Sequence, residues 1–124
     1  PIPWEANEPA FGFSETGKSW LPQPENYRSY SRDQQEGVAG STLELYKKLL
    51  KLRKQFGLGD GQLEWVADLC TESTLAFKNN SVMVVANFGP DALALPAGEI
   101  LVTTQHDLSV GDVLEHDQVA WIKL

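Results

Sequence analysis

The 124-residue chain has one cysteine, Cys70, and two histidines, His106 and His116, so it can form no internal disulfide and offers no zinc ligand set. No cofactor or metal is expected. Basic residues are also scarce, with 10 Lys+Arg against 17 Asp+Glu, giving a formal charge of -7. An acidic chain repels phosphate backbones and anionic headgroups, and its one basic cluster, Lys47, Lys48, Lys51 and Lys54, lies on one helix face. Nucleic acid and membrane are not expected partners. No run approaches the roughly 20 apolar residues that span a bilayer, and the N-terminus lacks the basic-then-apolar order of a signal peptide. A cytoplasmic location is the resulting expectation. Methionine occurs once, at Met83, and the chain opens at Pro1 inside an aromatic-rich phrase. This reads as a piece of something longer, with any targeting segment upstream.

What is present is one modest core, mostly in the second half. Residues 1–40 hold Pro1, Pro3, Pro9, Pro22 and Pro24 and no sustained helix or strand period, which predicts a loop. Six aromatics (Trp4, Phe11, Phe13, Trp20, Tyr27, Tyr30) crowd its first 30 residues, unlike a flexible linker. Long structureless loops are uncommon in compact domains, so these rings are expected to need a covering surface. A helix start follows at Ser41-Thr42-Leu43-Glu44, where Ser41 can accept from the N3 amide and Glu44 can reach back to the cap. Leu45, Tyr46, Leu49, Leu50, Leu52 and Phe56 share one broad arc, which predicts an amphipathic helix over about 41–56 ending near Gly57 or Gly59. Arg53 falls inside that arc and should find a carboxylate or snorkel.

Beyond residue 59 the period becomes two. Strands are predicted at 63–67, 74–78, 81–88, 93–95, 100–104, around 113–114 and at 119–124. The Asn79-Asn80 pair suits a tight hairpin, and Val82-Met83-Val84-Val85-Ala86, apolar on both faces, suits a central strand. Six or seven short strands predict a mainly β fold, an antiparallel sandwich of Greek-key-like type.

No constellation is catalytic on its face. Ser41, Ser73 and Ser81 lack the surroundings of an activated hydroxyl and read as cap and turn residues. Cys70 reads as a buried inert thiol, and His106 and His116 as solvated loop residues. Asn79-Asn80-Ser81 matches a glycosylation acceptor, but the turn accounts for it. Glu5 and Glu8 are the acids most embedded among aromatics. Trp4-Glu5 with Phe11, Phe13 and Trp20 could line a sugar cleft, since rings stack on sugar faces, or the rings could pack the loop onto a neighbouring domain.

Several words carry a resemblance: Pro1-Ile2-Pro3-Trp4-Glu5, Gly12-Phe13, Trp20-Leu21-Pro22, then Ser41-Thr42-Leu43 with Tyr46-Lys47, Leu50 and Leu52-Arg53. In this order they resemble the C-terminal part of α-amylase-type (glycoside hydrolase family 13) α-glucosidases and oligo-1,6-glucosidases. Weaker similarity continues through Trp65, Leu75-Ala76-Phe77, Val84-Val85-Ala86-Asn87-Phe88, Leu95-Pro96 and Trp121. The resemblance implies that residues 1–57 are the loop after the eighth strand of a truncated TIM-type barrel plus its last helix, and that 58–124 are the C-terminal β-sandwich. It further implies a retaining α-glucosidase parent in carbohydrate metabolism, acting on terminal α-linked glucose. The family's catalytic carboxylates lie upstream of Pro1, so no catalytic residue is present and the fragment alone should be inactive. Trp4 and Glu5 become the implied substrate-binding residues at the pocket rim. The implied partners are the missing barrel and an α-glucoside oligosaccharide. The competing expectation is a free-standing carbohydrate- or protein-binding sandwich that uses the aromatic N-terminal arm. Gly37-Val38-Ala39-Gly40 departs from the family's usual Asp-Pro-like lead-in, and Lys47 stands where Arg is frequent.

Overall fold

The computed structural model describes residues 1–104, 108 and 111–124, so the reading of His106 lies outside the described residues. The chain divides into two compact units, Pro1–Lys47 and Lys48–Leu124. In the first, the proline-rich segment makes a tight turn at Pro9–Gly12 and two four-residue helices, α1 (Tyr27–Tyr30) and α2 (Arg32–Gln35). Ser31 separates them with an extended ψ of 152° and is wholly buried. Of the loop aromatics only Phe11 is buried, while Trp4, Trp20 and Tyr30 remain 44%, 79% and 62% exposed. Among the described residues, Trp4, Trp20 and Tyr30 thus lack the full cover expected for them.

Helix α3 (Thr42–Gln55) begins where the Ser41 signal lies. Two of its orphan amides are met by side chains: Glu44 N–H donates to Ser41 Oγ at 3.2 Å and Leu43 N–H to Gln35 Oε1 at 3.2 Å. The return half of the capping box does not form. Glu44 instead accepts the Gly37 N–H at 3.0 Å and pairs with Lys47 at 2.7 Å, while Ser41 N–H donates to the Val38 carbonyl. The helix closes with Gly57 at φ +62°, Gly57 N–H on the Lys54 carbonyl and Leu58 N–H on the Arg53 carbonyl, a Schellman arrangement. No residue of α3 is buried, and Tyr46 and Leu50 are 61% and 62% exposed despite their place in the apolar arc. Arg53 snorkels: it is exposed, in no ion pair among the described residues, with its guanidinium beside Gly59.

Seven strands follow among the described residues: β1 (Leu63–Trp65), β2 (Thr74–Asn79), β3 (Val82–Asn87), β4 (Leu93–Ala94), β5 (Glu99–Thr103), β6 (Val113–Leu114) and β7 (Gln118–Lys123). Five form one antiparallel sheet in the order β1-β2-β3-β7-β5, and β4 pairs with β6 in a separate two-stranded sheet. The doubly apolar Val82–Ala86 run is central, as its pattern requires. On one face Ala76, Met83, Val85, Ala120 and Ile122 form the core with Leu114 from β6, and Leu93 and Leu95 pack against it. Burying a side chain such as Ile122 or Leu114 completely stabilises by about 1.5–3 kcal/mol. Strand register aligns Trp65, Phe77, Val84, Trp121 and Val102 in one row across the opposite face. Trp65 and Phe77 meet edge to face with centroids 5.9 Å apart.

The β2–β3 turn places Asn80 at φ +51°, a conformation asparagine tolerates better than most residues. Its Nδ2 donates to the Phe56 and Gly57 carbonyls at 3.2 and 3.0 Å, and Asn79 Nδ2 donates to the Leu58 carbonyl at 3.2 Å. The hairpin turn therefore also caps the C-terminus of α3. Cys70 is half-buried, with Sγ 3.3 Å from the Ala76 carbonyl, and His116 Nδ1 lies 3.0 Å from the Gly89 carbonyl. Among the described residues no group of acids, histidines or cysteine is placed to hold a metal, and no helix is long and apolar enough to cross a membrane.

Candidate rim site at Trp4 and Glu5

Sequence reasoning leaves residues 1–40 without local structure, yet the backbone around Trp4 and Glu5 is fully engaged. Arg32 N–H donates to the Pro3 carbonyl at 3.3 Å, and Asp33 N–H donates to the Trp4 carbonyl at 3.1 Å. The Phe11 carbonyl accepts both Trp4 N–H at 2.8 Å and Glu5 N–H at 3.1 Å. Glu8 N–H reaches the Glu5 carbonyl at 3.3 Å, Ala6 N–H donates to both Asp33 oxygens at 3.1 Å, and the Ala6 carbonyl accepts from the Arg28 guanidinium. Every backbone polar group from the Pro3 carbonyl to the Ala6 carbonyl thus has a partner. A loop saturated in this way holds its Cα–Cβ directions almost as firmly as a helix or strand does.

The turn that aims the Phe11 carbonyl is strained. Ala10 and Phe11 both have φ +49° with ψ of 33° and 39°, and Gly12 follows at φ +68°. Left-handed geometry costs a non-glycine residue about 1–2 kcal/mol. Burial of the Phe11 ring, with the Arg28 guanidinium 5.6 Å from its centroid, offsets part of that cost. Arg28 also bonds Asn7 Oδ1 and Glu25 Oε1 at 3.0 Å each, which fixes the guanidinium plane.

Asp33 is the other anchor. The Ser31 hydroxyl, 2.6 Å from Oδ1, is the largest influence holding this carboxyl below the usual aspartate range, and the Ala6 and Gln34 donors add to it against a desolvation penalty. Neither Arg28 nor Asp33 stands out in the sequence.

The side chains carried by this backbone face outward. Glu5 lines a cleft of about 360 Å³ together with Glu8, Glu15, Pro9, Gly12, Ser14 and Gly17. Trp4 does not line it but stands beside Gly12, where an added Cβ would lie 3.5 Å from Trp4 Cβ and 3.4 Å from Glu5 Cβ. Glu5, Glu8 and Glu15 enter no ion pair among the described residues, so the cleft is negative. Phe13 and Trp20 are exposed, and among the described residues they make no ring contact with Trp4. The geometry is that of an open, acidic cleft on a hydrogen-bonded backbone with one indole beside it.

Residues 1–59, the segment containing the rim and α3, match the family model for the α-amylase catalytic domain. A salivary α-glucosidase of Aedes aegypti is 33% identical over 100 residues, covering 77% of this chain and 17% of that protein. An oligo-1,6-glucosidase of Saccharomyces cerevisiae is 31% identical over 98 residues, covering 73% and 17%. The chain therefore spans about a sixth of the length of these relatives. In fold it is similar to an isomaltulose synthase from Klebsiella sp. LX3, with a TM-score of 0.80 at 23% identity over 99% of this chain and 24% of that one. A trehalose-6-phosphate hydrolase of Bacillus licheniformis gives a TM-score of 0.76 at 23% identity, over 100% and 25%. Residues 1–59 thus carry a match to the α-amylase catalytic domain, and the chain is similar along most of its length to α-glucosidases of that family, glycoside hydrolase family 13.

Proposed function

We propose that the chain is the C-terminal region of a retaining α-glucosidase, non-catalytic in itself, whose nucleophile and acid/base carboxylates lie on a TIM-type barrel upstream. On this reading residues 1–57 supply the loop after the eighth barrel strand and the last barrel helix. On the same reading residues 58–124 are a Greek-key-like β-sandwich that stabilises the barrel, a reading supported by the placing of β7 between β3 and β5. The observation that carries the reading is α3: it lies inside the segment matched to a catalytic domain, is apolar along one arc, and has no buried residue among the described residues. A helix of that pattern requires a cover.

Trp4 and Glu5 are then substrate-binding residues at the rim of the sugar pocket, where barrel enzymes build their sites from loops at the C-terminal ends of the strands. The indole offers an apolar face for stacking, and Glu5 offers two acceptors for sugar hydroxyls. Unpaired Glu5, Glu8 and Glu15 repel phosphate, which supports a neutral α-glucoside oligosaccharide over a phosphorylated one. The barrel would cleave the glycosidic bond through a covalent glycosyl-enzyme intermediate, one carboxylate acting as nucleophile and the other as acid and then base.

The test is to express the longer open reading frame and the 124-residue chain separately and assay each on a chromogenic α-glucoside, following the anomeric configuration of the product by NMR. The long protein should release glucose with retention and the short chain should release none. Turnover by the short chain, or none by the long one, overturns the reading. The 79% exposure of Trp20 favours a second reading, a free-standing sugar-binding arm. That reading requires a tryptophan fluorescence shift of the short chain on adding maltose or isomaltose.

A further inference from the structure

We propose that Asp33 is the positioning residue of the rim, setting the direction of Glu5 and Trp4 toward sugar without touching it. This rests on the rim role given to Trp4 and Glu5 above and extends it to a residue outside the cleft. The two peptide planes flanking Glu5 contain four polar groups: the Trp4 carbonyl, Glu5 N–H, the Glu5 carbonyl and Ala6 N–H. Asp33 takes the first through its own N–H at 3.1 Å and the last through both carboxylate oxygens at 3.1 Å. One residue thus grips the backbone on either side of Glu5, from 27 positions away in sequence. The two groups between are held by Phe11, in the strained turn, and by Glu8, the residue that leads into it.

Ser31 makes the grip rigid. It is wholly buried; its single hydroxyl proton is shared between Asp33 Oδ1 at 2.6 Å and the Arg28 carbonyl at 2.8 Å, and its N–H reaches the same carbonyl at 3.5 Å. Arg28 in turn holds the Ala6 carbonyl and Asn7. The amide and carbonyl of Ala6 are therefore gripped by an acid and a base fixed to each other through Ser31. Asp33 does not line the cleft, so its carboxylate reaches the rim through the Ala6 amide and the Ser31 hydroxyl it holds rather than by lining the cleft. That separates positioning from contact.

The experiment uses the longer parent protein and compares Asp33→Ala, Asp33→Asn, Trp4→Ala and the Asp33→Ala/Trp4→Ala double variant on maltose. Asp33→Ala should raise KM about tenfold with kcat changed less than about threefold, since a rim misplaced by a fraction of an ångström weakens binding. Asp33→Asn should recover most of the loss, because its amide oxygen still accepts from Ala6. The double variant should be no worse than Trp4→Ala alone, as two changes acting through one segment do not add. An unchanged KM in Asp33→Ala, or KM effects that multiply in the double variant, overturns the proposal. If the wild-type parent does not turn over maltose, the glucosidase reading fails first. Asp33 is then judged on the Ala6 amide exchange rate and Trp4 indole shift by NMR, which must move in Asp33→Asn or Asp33→Ala. Should Asp33→Ala not fold, Ser31→Ala takes its place with the same expected KM rise, and an unchanged KM there is equally fatal.

Discussion

Asn87, wholly buried on β3, donates its side-chain amide to the Leu114 carbonyl of β6 at 2.9 Å. The same amide reaches the Asp91 and Glu115 carbonyls at 2.8 and 3.2 Å, while Oδ1 accepts the Gly89 N–H at 3.0 Å. One polar side chain thus ties the central strand of the five-stranded sheet to the strand that contributes Leu114 to the core, with donors and acceptor all matched.

Because its Nδ2 faces three carbonyls, Asn87→Asp should be the worst substitution there, placing a carboxylate against lone pairs. Asn87→Leu, which leaves the same carbonyls unmet, should cost about 2–4 kcal/mol, and the aspartate variant more at neutral pH. Urea unfolding at pH 7 and pH 4 checks this: the aspartate variant should recover part of its loss at pH 4, as the acid regains a proton to donate.

Asn80 performs two tasks that one pair of variants separates. Its φ of +51° favours asparagine or glycine, and its amide caps the Phe56 and Gly57 carbonyls at the end of α3. Asn80→Gly should lose only the cap, about 0.5–1.5 kcal/mol, whereas Asn80→Ala should lose the cap and add left-handed strain of about 1 kcal/mol. Thermal unfolding should rank wild type above Gly above Ala. If Ala and Gly are equal, the turn conformation carries none of the cost.

The Asp33 carboxyl titrates below its ordinary value of 3.8, held down first by the Ser31 hydroxyl and then by the Ala6 and Gln34 donors. A depressed acid stabilises the folded form above the unfolded pKa and loses that contribution as pH falls through the lower, folded value. The stability gap between wild type and Asp33→Asn should therefore be constant above about pH 5 and shrink below about pH 3.8. Chemical unfolding of both proteins across pH 2.5–7 measures it. A gap independent of pH would mean that the carboxylate charge contributes nothing to the grip.

The strands and α3 were legible because each announces itself by period: Val82–Ala86 apolar on both faces, Leu45-Leu49-Leu52-Phe56 along one arc, Ser41 and Gly57 at the ends. Trp4 and Glu5 were legible as site candidates because their residue types suit a sugar rim. Asp33 and Arg28 were not, since a side chain gripping backbone 27 or 22 residues away leaves no local pattern. The left-handed Ala10-Phe11 pair was equally hidden, because nothing in either residue type invites a positive φ. The capping box was half right for a related reason: Glu44 has a nearer donor in Gly37, whose position depends on how the loop folds back.

Leu50 distinguishes the chain alone from the chain within its proposed parent. It is 62% exposed on α3 and shares the outer apolar stripe with Tyr46, one turn earlier. Leu50→Glu in the 124-residue chain removes almost no packing and should change stability by less than about 0.5 kcal/mol. If barrel side chains cover that stripe in the longer protein, the same change buries a carboxylate without a partner and should cost about 3 kcal/mol or more. Paired unfolding measurements on the two lengths settle the comparison, with activity of the long form as a second readout. Equal, small losses in both would leave the outer stripe of α3 facing solvent in the parent and would remove the barrel as its cover.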